Sequence, residues 1–311
     1  MKNNKKESAK RSGAVNTPVV RYRIYLQLEK SLSENTIEAY LSDVKKLELF
    51  LRDDNVELLD ATIEHLRSFI LCLEEVGITP KSQARIVSSL HSFYSFLKLD
   101  GYIQENPTEL LKSPKLPLHL PEVLTIDEID KIIDAIDLTK SEGQRDRAII
   151  EMLYSCGLRV SELCNLRFSD LYFNDEFIRV LGKGGKQRLV PISSRAIDEV
   201  KAYIDERNSI NVKPGYDDFL FLSFRRGKPL SRITVFHLIK ELMLRAGIKK
   251  NISPHTFRHS FATHLLEGGA NLRVIQAMLG HESISTTEIY THIDRLHMRE
   301  EIIEHHPRSK Y

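Results

Sequence analysis

Cysteine is scarce in this chain of 311 residues, which contains only Cys72, Cys156 and Cys164. So few thiols, in an odd number, argue against a disulfide framework, and we expect a reducing, cytoplasmic setting. Long apolar runs are also missing, since none approaches the roughly 20 residues that a membrane span requires. The start of the chain, MKNNKKESAKRSG, is basic and has no apolar segment, so we expect a solvated tail and no secretory signal.

A strong excess of charge of either sign is absent as well. The formal net charge is +2, although 28% of the residues are charged. Bulk charge therefore does not indicate a nucleic-acid-binding protein, but positive charge concentrated on one face remains compatible with one. The hydrophobic fraction of 41% suffices for globular folding, and the length favours two domains.

Several common catalytic signatures are missing from the sequence. It has no G-x-S-x-G elbow, no HExxH, no CxxC pair and no GxGxxG after a strand, and its carboxylates form no metal-binding trio. The segment GKGGKQR, from Gly182 to Arg188, is not a Walker loop, because it lacks the Ser or Thr and leads into no helical pattern. These absences disfavour serine hydrolase, zinc protease, nucleotide-dependent and two-metal nuclease chemistry.

The first third of the chain has the pattern of a small helical domain. Apolar residues recur at helical spacing in SENTIEAYLSDVKKLELFL, in ATIEHLRSFILCLEEVG and in KSQARIVSSLHSFYSFLKLDG, and NPTELL is expected to open a fourth, short helix. The run SPKLPLHLP contains three prolines and is typical of an extended linker. We therefore predict a basic tail over 1–19, a helical domain over 20–112, a linker over 113–121 and a second domain over 122–311.

The second domain is predicted to be mostly helical with a small antiparallel sheet. Thr125 and Glu128 form a capping box that starts it, and the segment FIRVLGKGGKQRLVPI predicts a β-hairpin. The segment DDFLFLSF is expected to add a third strand. Helices are predicted over 145–156, RVSELCNL, 231–246, 254–267, 271–279, about 284–292 and about 296–304.

One predicted helix, PHTFRHSFATHLL, carries three histidines and an arginine. Helical geometry places His255, Arg258 and His259 on one face, beside an apolar stripe of phenylalanines, with His264 roughly opposite His255. A metal site lacks a third ligand nearby, and a purely apolar core would leave Arg258 buried without a partner. An anion site uses both residue types in the positive first turns of the helix. From this segment alone, the anion site and the structural interpretations stay equally open.

Four further residues have chemistry of interest, and each also has an ordinary interpretation. Arg159 at the head of RVSELCNL could be a solvated arginine paired with Glu162, three residues later. Lys183 could be a soluble turn lysine, His281 a polar loop residue, and Tyr290 a half-buried helix tyrosine. None of these residues indicates a function by itself.

Taken in order, the segments GLRVSEL, GKGGKQR, HTFRH, LGH and IYTH closely resemble those of the tyrosine recombinase, or phage integrase, family. The resemblance is strongest to its Xer-type site-specific recombinases and extends through the N-terminal helical segments. It implies a mainly α tyrosine recombinase fold. A four-helix SAM-like DNA-binding domain would precede an α-rich catalytic domain with a small antiparallel sheet.

The resemblance also implies a role for each site residue. Tyr290 would attack the scissile phosphorus and form a 3′-phosphotyrosyl bond, and Lys183 would be the general acid for the leaving 5′-oxygen. The remaining residues would hold the phosphate as charge builds, with Glu162 in support: Arg159, Arg258, His255 and His281. No metal, nucleotide or other cofactor is implied.

The implied partner is a duplex DNA recombination site. Lys81 and Arg85, near the head of the third helical segment, are candidates for DNA contact, with a solvated helix face as the equal alternative. The family further implies a tetramer with itself or a paralogous recombinase, a C-terminal helix exchanged between protomers, and a septum-located DNA translocase. It implies no membrane insertion. The alternatives are a mobile-element integrase, a topoisomerase-like enzyme and a DNA-binding protein with a vestigial site.

Overall fold

The computed structural model describes residues 17–114, 122–182, 185–280 and 292–309, with the backbone alone for 292–295. The chain divides between His119 and Leu120 into two compact units, called here the N-terminal and the C-terminal unit. None of the helices in the described ranges is both long and apolar enough to span a bilayer.

Residues 17–114, the described part of the N-terminal unit, contain four helices. Their apolar residues follow the 3.6-residue period, so that one face of each is buried, as with Ile37, Val44 and Leu47 on the second helix. The four helices are α1 (Pro18–Leu28), α2 (Glu34–Asp53), α3 (Ile63–Glu75) and α4 (Pro80–Leu99).

The fourth helix of this unit is not the predicted one. The segment NPTELL forms turns, because the Asn106 side chain accepts hydrogen bonds from the backbone N–H of Thr108 at 2.9 Å and from its hydroxyl at 2.7 Å. Such local bonds compete with helix formation. The additional helix is instead α1, which begins at Pro18 after Thr17, whose hydroxyl accepts from the backbone N–H of Val20 at 3.4 Å. This helix starts within the stretch predicted as tail.

The C-terminal unit packs around a helix whose second half is buried. Its helices are α5 (Ile126–Asp134), α6 (Gly143–Ser155), α7 (Val160–Cys164), α8 (Ser194–Arg207), α9 (Arg232–Arg245), α10 (Pro254–Glu267), α11 (Leu272–Leu279) and α12 (His292–His305). Helix α6 is buried from Ala148 to Ser155 and packs against α8 and α10. The predicted capping box is confirmed, since the Thr125 N–H donates to Glu128 Oε2 at 2.8 Å.

The small sheet contains three antiparallel strands in the order β1 (Leu171–Tyr172), β2 (Phe177–Leu181) and β3 (Gln187–Pro191). Strands β2 and β3 form the predicted hairpin, with Phe177 opposite Pro191 and Leu181 opposite Gln187.

The segment DDFLFLSF does not form the predicted third strand, because its backbone carbonyls accept hydrogen bonds from Arg207 instead of from a neighbouring strand. The Arg207 guanidinium donates to the carbonyls of Asp217, Phe219 and Leu220 at 2.7, 2.7 and 3.1 Å. The segment makes only isolated bridges, and β1 takes the third place in the sheet.

Helix α8 was not predicted, and its first turn is capped by Ser193, whose hydroxyl accepts from the backbone N–H of Ala196 at 3.2 Å. The predicted helix over 296–304 lies within α12. The one over 284–292 falls almost wholly outside the described residues.

The last described residues are buried in the C-terminal unit. The Arg308 side chain is 1% exposed, donates to Asp130 at 2.6 Å, and its Nε lies 3.3 Å from the buried carboxylate of Glu151. The His306 ring packs against the rings of Tyr154 and Phe261, with centroids 4.9 and 5.5 Å away. His306 and Arg308 therefore pack against residues of α6 and α10.

Candidate functional site

Helix α10 divides its side chains between the core and the surface. Phe257, Phe261 and Leu265 are fully buried, whereas His255 and His259 are exposed. The apolar stripe is therefore confirmed. His264 lies on the buried side, where its Nδ1 is 2.8 Å from the Tyr154 hydroxyl, which gives it a structural contact.

Arg258 lies on the same helix and is buried, with 9% of its surface exposed. Its Nη1 donates to the carbonyl of Gly157 at 2.8 Å, and its Nη2 donates to the carbonyl of Leu279. Two backbone carbonyls thus satisfy a guanidinium that an apolar core would leave unpaired.

Gly157 ends α6 and has a positive φ of 57°. A Cβ at this position would lie 2.5 Å from the Phe261 ring, so a larger residue has no room. The glycine lets the chain turn tightly against α10 and places its carbonyl beside Arg258.

Arg159 precedes α7, and Glu162 in the first turn of that helix binds it twice. Glu162 Oε2 accepts from the Arg159 backbone N–H at 2.8 Å, and Oε1 accepts from Arg159 Nη1 at 2.8 Å. Arg159 Nη2 donates to the carbonyl of Gly280 at 3.4 Å, and the side chain keeps 33% of its surface exposed. The predicted pairing of Arg159 with Glu162 is thus present.

A third arginine, Arg188 on β3, was not predicted as a site residue. Its Nη1 and Nη2 bind the two oxygens of Glu162 at 2.7 and 2.9 Å, and its Nε donates to the carbonyl of Met278 at 2.7 Å. It is 6% exposed. The sequence carried a signal, because strand alternation places Arg188 on the same inward face as Val190, and a buried arginine requires a partner.

Three consecutive carbonyls at the end of α11 each accept from one of these arginines. Met278 binds Arg188, Leu279 binds Arg258, and Gly280 binds Arg159. The last carbonyls of a helix have no partner within it and carry partial negative charge. Together with Glu162 they hold three positive side chains in one place, named here the arginine cluster: Arg159, Arg188 and Arg258.

The charges in the cluster shift the pKa values of its members. Burial alone would raise the pKa of Glu162, but its bonds to Arg188 and Arg159 outweigh burial and hold that pKa below the ordinary value. Burial and the nearby charge of Arg159 lower the pKa of Arg258 to about 10. Arg258 is therefore still protonated at neutral pH, and the cluster carries more positive than negative charge.

Of the remaining predicted site residues, the structure describes only His255. Lys183, His281 and Tyr290 lie outside the described residues. Their chain neighbours Gly182 and Gly280, which precede Lys183 and His281, lie beside the arginine cluster. His255 is an exposed residue in the first turn of α10.

The two predicted DNA-contact residues stand at the head of α4. Lys81 is exposed, whereas Arg85 pairs with the buried carboxylate of Asp43 on α2. Asp43 also accepts from Lys46 at 3.1 Å and from Ser89 at 2.8 Å. Arg85 therefore has a structural contact in addition to any DNA contact.

The arrangement in the C-terminal unit suits an oxyanion ligand. Two guanidiniums from distant segments, one buried and one partly exposed, are fixed by hydrogen bonds within the unit, and guanidinium donors match phosphate oxygens. Within the described residues, no group of three or more His, Cys, Asp and Glu side chains is placed to hold a metal ion.

Comparison with known proteins assigns a family to each unit. Residues 122–297 match the model of the phage integrase family, and residues 19–101 match that of the phage integrase N-terminal SAM-like domain. The chain is 40% identical over 294 residues to a tyrosine recombinase XerD of Staphylococcus haemolyticus, covering 94% of this chain and 99% of that one. It is 45% identical over 288 residues to the XerD of Chlorobaculum tepidum, covering 92% and 94%.

Solved structures give the same result for the fold. The XerH recombinase bound to a difH substrate in a pre-cleavage complex has a TM-score of 0.63 at 25% identity, covering 82% of this chain and 76% of that one. A lambda integrase dimer bound to a COC′ core site has a TM-score of 0.66 at 23% identity, covering 86% and 94%. The predicted fold class is confirmed.

Proposed function

Because the chain belongs to the phage integrase family of tyrosine recombinases, we propose that it recombines duplex DNA through a covalent protein–DNA intermediate. Enzymes of this family cleave and rejoin DNA strands, and this chain is one of them. Its relatives over nearly the whole length are named XerD, so its reaction is site-specific recombination. The steps below and the biological role are our proposal.

The single observation that supports it best is the meeting of Arg159 and Arg258 at the end of α11. Each Nη atom carries two N–H groups, and the bonds within the cluster leave donors for phosphate oxygens. Fixed donors that face a developing negative charge need no reorganisation during the reaction, and this lowers the barrier.

Tyr290 is the nucleophile in this proposal. Its phenol, with an ordinary pKa of about 10, loses its proton to solvent as its oxygen bonds to the scissile phosphorus. Arg159 and Arg258 bind the non-bridging oxygens, and His255 and His281 add donors. The phosphorus–O5′ bond breaks, Lys183 gives its proton to the leaving 5′-oxygen, and a 3′-phosphotyrosyl bond and a 5′-hydroxyl result.

Religation reverses these steps with the 5′-hydroxyl of a partner strand. Since the phosphotyrosyl bond conserves the energy of the phosphodiester, no nucleotide is consumed, and the arginines supply the positive charge that a metal would otherwise supply. Two rounds of exchange pass through a Holliday junction within a tetramer.

The biological role in this proposal is the resolution of chromosome dimers at cell division, in the cytoplasm. The protein would act with itself or with a paralogous recombinase, and a septum-located translocase would bring the sites together. A mobile-element integrase and a topoisomerase-like enzyme share the chemistry but differ in the DNA that they join.

A nicked suicide duplex tests the proposal, its sequence taken from genomic fragments that the wild-type protein retains in a filter-binding selection. The wild type should form a covalent adduct in EDTA, and Tyr290→Phe should form none. An adduct in Tyr290→Phe would reject the nucleophile, and a requirement for a divalent metal would reject the metal-free route.

Two plasmid assays separate the alternatives. Exchange between two selected sites, with none on unrelated plasmids, is expected for the recombinase. Relaxation of any supercoiled plasmid without exchange would indicate a topoisomerase. Tight binding of the selected site without any adduct would indicate a vestigial site.

A further inference from the structure

Arg188 joins three segments that the proposed reaction needs. It is not one of the two arginines that bind the phosphate in the proposed function, Arg159 and Arg258, called here the phosphate clamp. It binds Glu162 of α7 with both Nη atoms and the end of α11 with its Nε, while its own backbone belongs to β3. These bonds engage all three guanidinium nitrogens, and the side chain is 6% exposed. Arg188 is therefore suited to holding β3, α7 and α11 together rather than to contacting DNA.

The base of the hairpin that contains Lys183 lies against the Arg188–Glu162 pair. Arg188 lies opposite Val180 in the β2–β3 ladder, and the Gly182 N–H closes the base of the turn on the Lys186 carbonyl at 2.7 Å. A Cβ on Gly182 would lie 3.6 Å from Arg188 Nη1 and 4.0 Å from Glu162 Oε1. The residue directly before Lys183 is thus packed against the Arg188–Glu162 pair.

The two clamp arginines do not depend on Arg188 in the same way. Arg159 has its own two bonds to Glu162, one of them through its backbone N–H. Arg258 is held by the carbonyls of Gly157 and Leu279. Loss of the Arg188 fork would therefore free the base of the hairpin from Glu162, whereas the hydrogen-bond partners of Arg159 and Arg258 are groups other than Arg188.

We propose that Arg188 is a positioning residue for the general acid, holding the base of the β2–β3 hairpin against Glu162 so that Lys183 reaches the leaving 5′-oxygen. This inference rests on the proposed function, because it takes Lys183 as the acid. It assigns Arg188 to the step in which the phosphorus–O5′ bond breaks and the 5′-oxygen receives the lysine's proton.

A substrate with sulfur in place of the bridging 5′-oxygen isolates that step. A thiol has a pKa of about 8.5, so a thiolate leaves without a proton, whereas an alkoxide leaves poorly without one. A variant that lacks only the acid function is slow on the oxygen duplex and fast on the sulfur duplex. The ratio of the two rates, measured on one protein preparation, does not depend on the fraction of protein that is folded.

The test compares Arg188→Lys with Lys183→Ala and Arg145→Lys on both duplexes. Arg145 is the matched control, because it is 8% exposed and binds Asp146 through Nε and Nη2, at 2.9 and 2.7 Å, with no contact to the cluster. Arg188→Lys keeps the charge but loses the fork. Should it fail to fold, Arg188→Gln takes its place.

We expect Arg188→Lys to cleave the oxygen duplex about 100-fold more slowly than the wild type and the sulfur duplex within about 10-fold of it. Lys183→Ala should show the same pattern, and Arg145→Lys should match the wild type on both. Equal losses on both duplexes for Arg188→Lys, with Lys183→Ala rescued by sulfur, would overturn the positioning role. So would an unchanged oxygen rate. Equal losses for Lys183→Ala would instead overturn the assignment of the acid in the proposed function.

Discussion

Arg258 donates a hydrogen bond to the backbone carbonyl of Gly157 at 2.8 Å, joining two positions that lie 101 residues apart in the sequence. The bond fixes the N-terminal half of α10 to the turn that leads into Arg159. One backbone carbonyl thus sets the distance between the two segments that carry the proposed phosphate clamp.

Replacement of Arg258 by alanine should abolish cleavage while DNA binding is largely kept. The loss of a clamp donor is expected to slow adduct formation by at least about 100-fold. The carbonyls of Gly157 and Leu279 would lose their donor, at a cost of about 1–3 kcal/mol in the free energy of unfolding. Adduct formation, a mobility-shift assay and urea denaturation measure the three effects. A complete loss of DNA binding would point to a structural role instead.

Gly157→Ala should destabilise the protein more than an alanine at an ordinary left-handed glycine. It combines a positive φ with a Cβ 2.5 Å from the Phe261 ring, so we expect a loss of about 3 kcal/mol or more. Gly247→Ala is the control, since its φ is also positive at 67° but no atom lies within 4 Å of its Cβ; it should cost about 1 kcal/mol. Similar losses for both variants in urea denaturation would show that the contact with Phe261 is not tight.

His306 should make the stability of the C-terminal unit fall with acid. Burial, aided by the charge of Arg308, lowers its pKa from 6.5 to about 3. At a pH between these two pKa values, His306 is protonated in the unfolded chain and neutral in the folded chain. The contribution of neutral His306 to the free energy of unfolding is therefore complete above pH 6.5. Below that pH the free energy of unfolding falls by about 1.4 kcal/mol per pH unit.

The comparison of wild type with His306→Phe isolates this group from the carboxylates that titrate in the same range. Phenylalanine keeps a ring against Tyr154 and Phe261 but cannot titrate. Thermal unfolding between pH 7.5 and 5.0 should show a smaller decline for the variant. Parallel declines would contradict the lowered pKa.

Lys81 and Arg85 should respond differently to alanine. Lys81→Ala removes an exposed charge, so we expect weaker DNA binding, a salt dependence reduced by about one phosphate contact, and unchanged stability. Arg85→Ala also removes a partner of buried Asp43, and should lower the stability of the N-terminal unit by about 1–2 kcal/mol. Filter binding at several salt concentrations and urea denaturation separate these effects. Unchanged DNA binding in both variants would leave α4 without a DNA contact at its head.

Sequence patterns that act over a few residues predicted the structure well. The capping box at Thr125, the β2–β3 hairpin and the apolar stripe of α10 follow from local spacing, and each is present. The pairing of Arg159 with Glu162 is also local, because Glu162 lies three positions after Arg159, in the first turn of α7.

Two of the features that were missed or wrong depend on distant partners, whereas the failure of NPTELL to form a helix has a local cause in the bonds between Asn106 and Thr108. DDFLFLSF is apolar enough for a strand, but the Arg207 guanidinium from α8 donates to its carbonyls. Arg188 joins the site through Glu162, 26 positions away, and Met278, 90 positions away. No spacing rule reveals such contacts, although an inward-facing arginine on a strand shows that a partner must exist.

In the proposed function, the arginine cluster links the stability of the protein to the binding of DNA. Three guanidiniums share one carboxylate and three helix-end carbonyls, so the folded chain holds positive charges that repel one another. Burial first, and then the charge of Arg159, lower the pKa of Arg258. A phosphate between Arg159 and Arg258 would relieve that repulsion. Whatever binds only the folded form stabilises it. In the proposed function, binding of the DNA backbone therefore stabilises the folded C-terminal unit, because the bound phosphate offsets the repulsion between the guanidiniums.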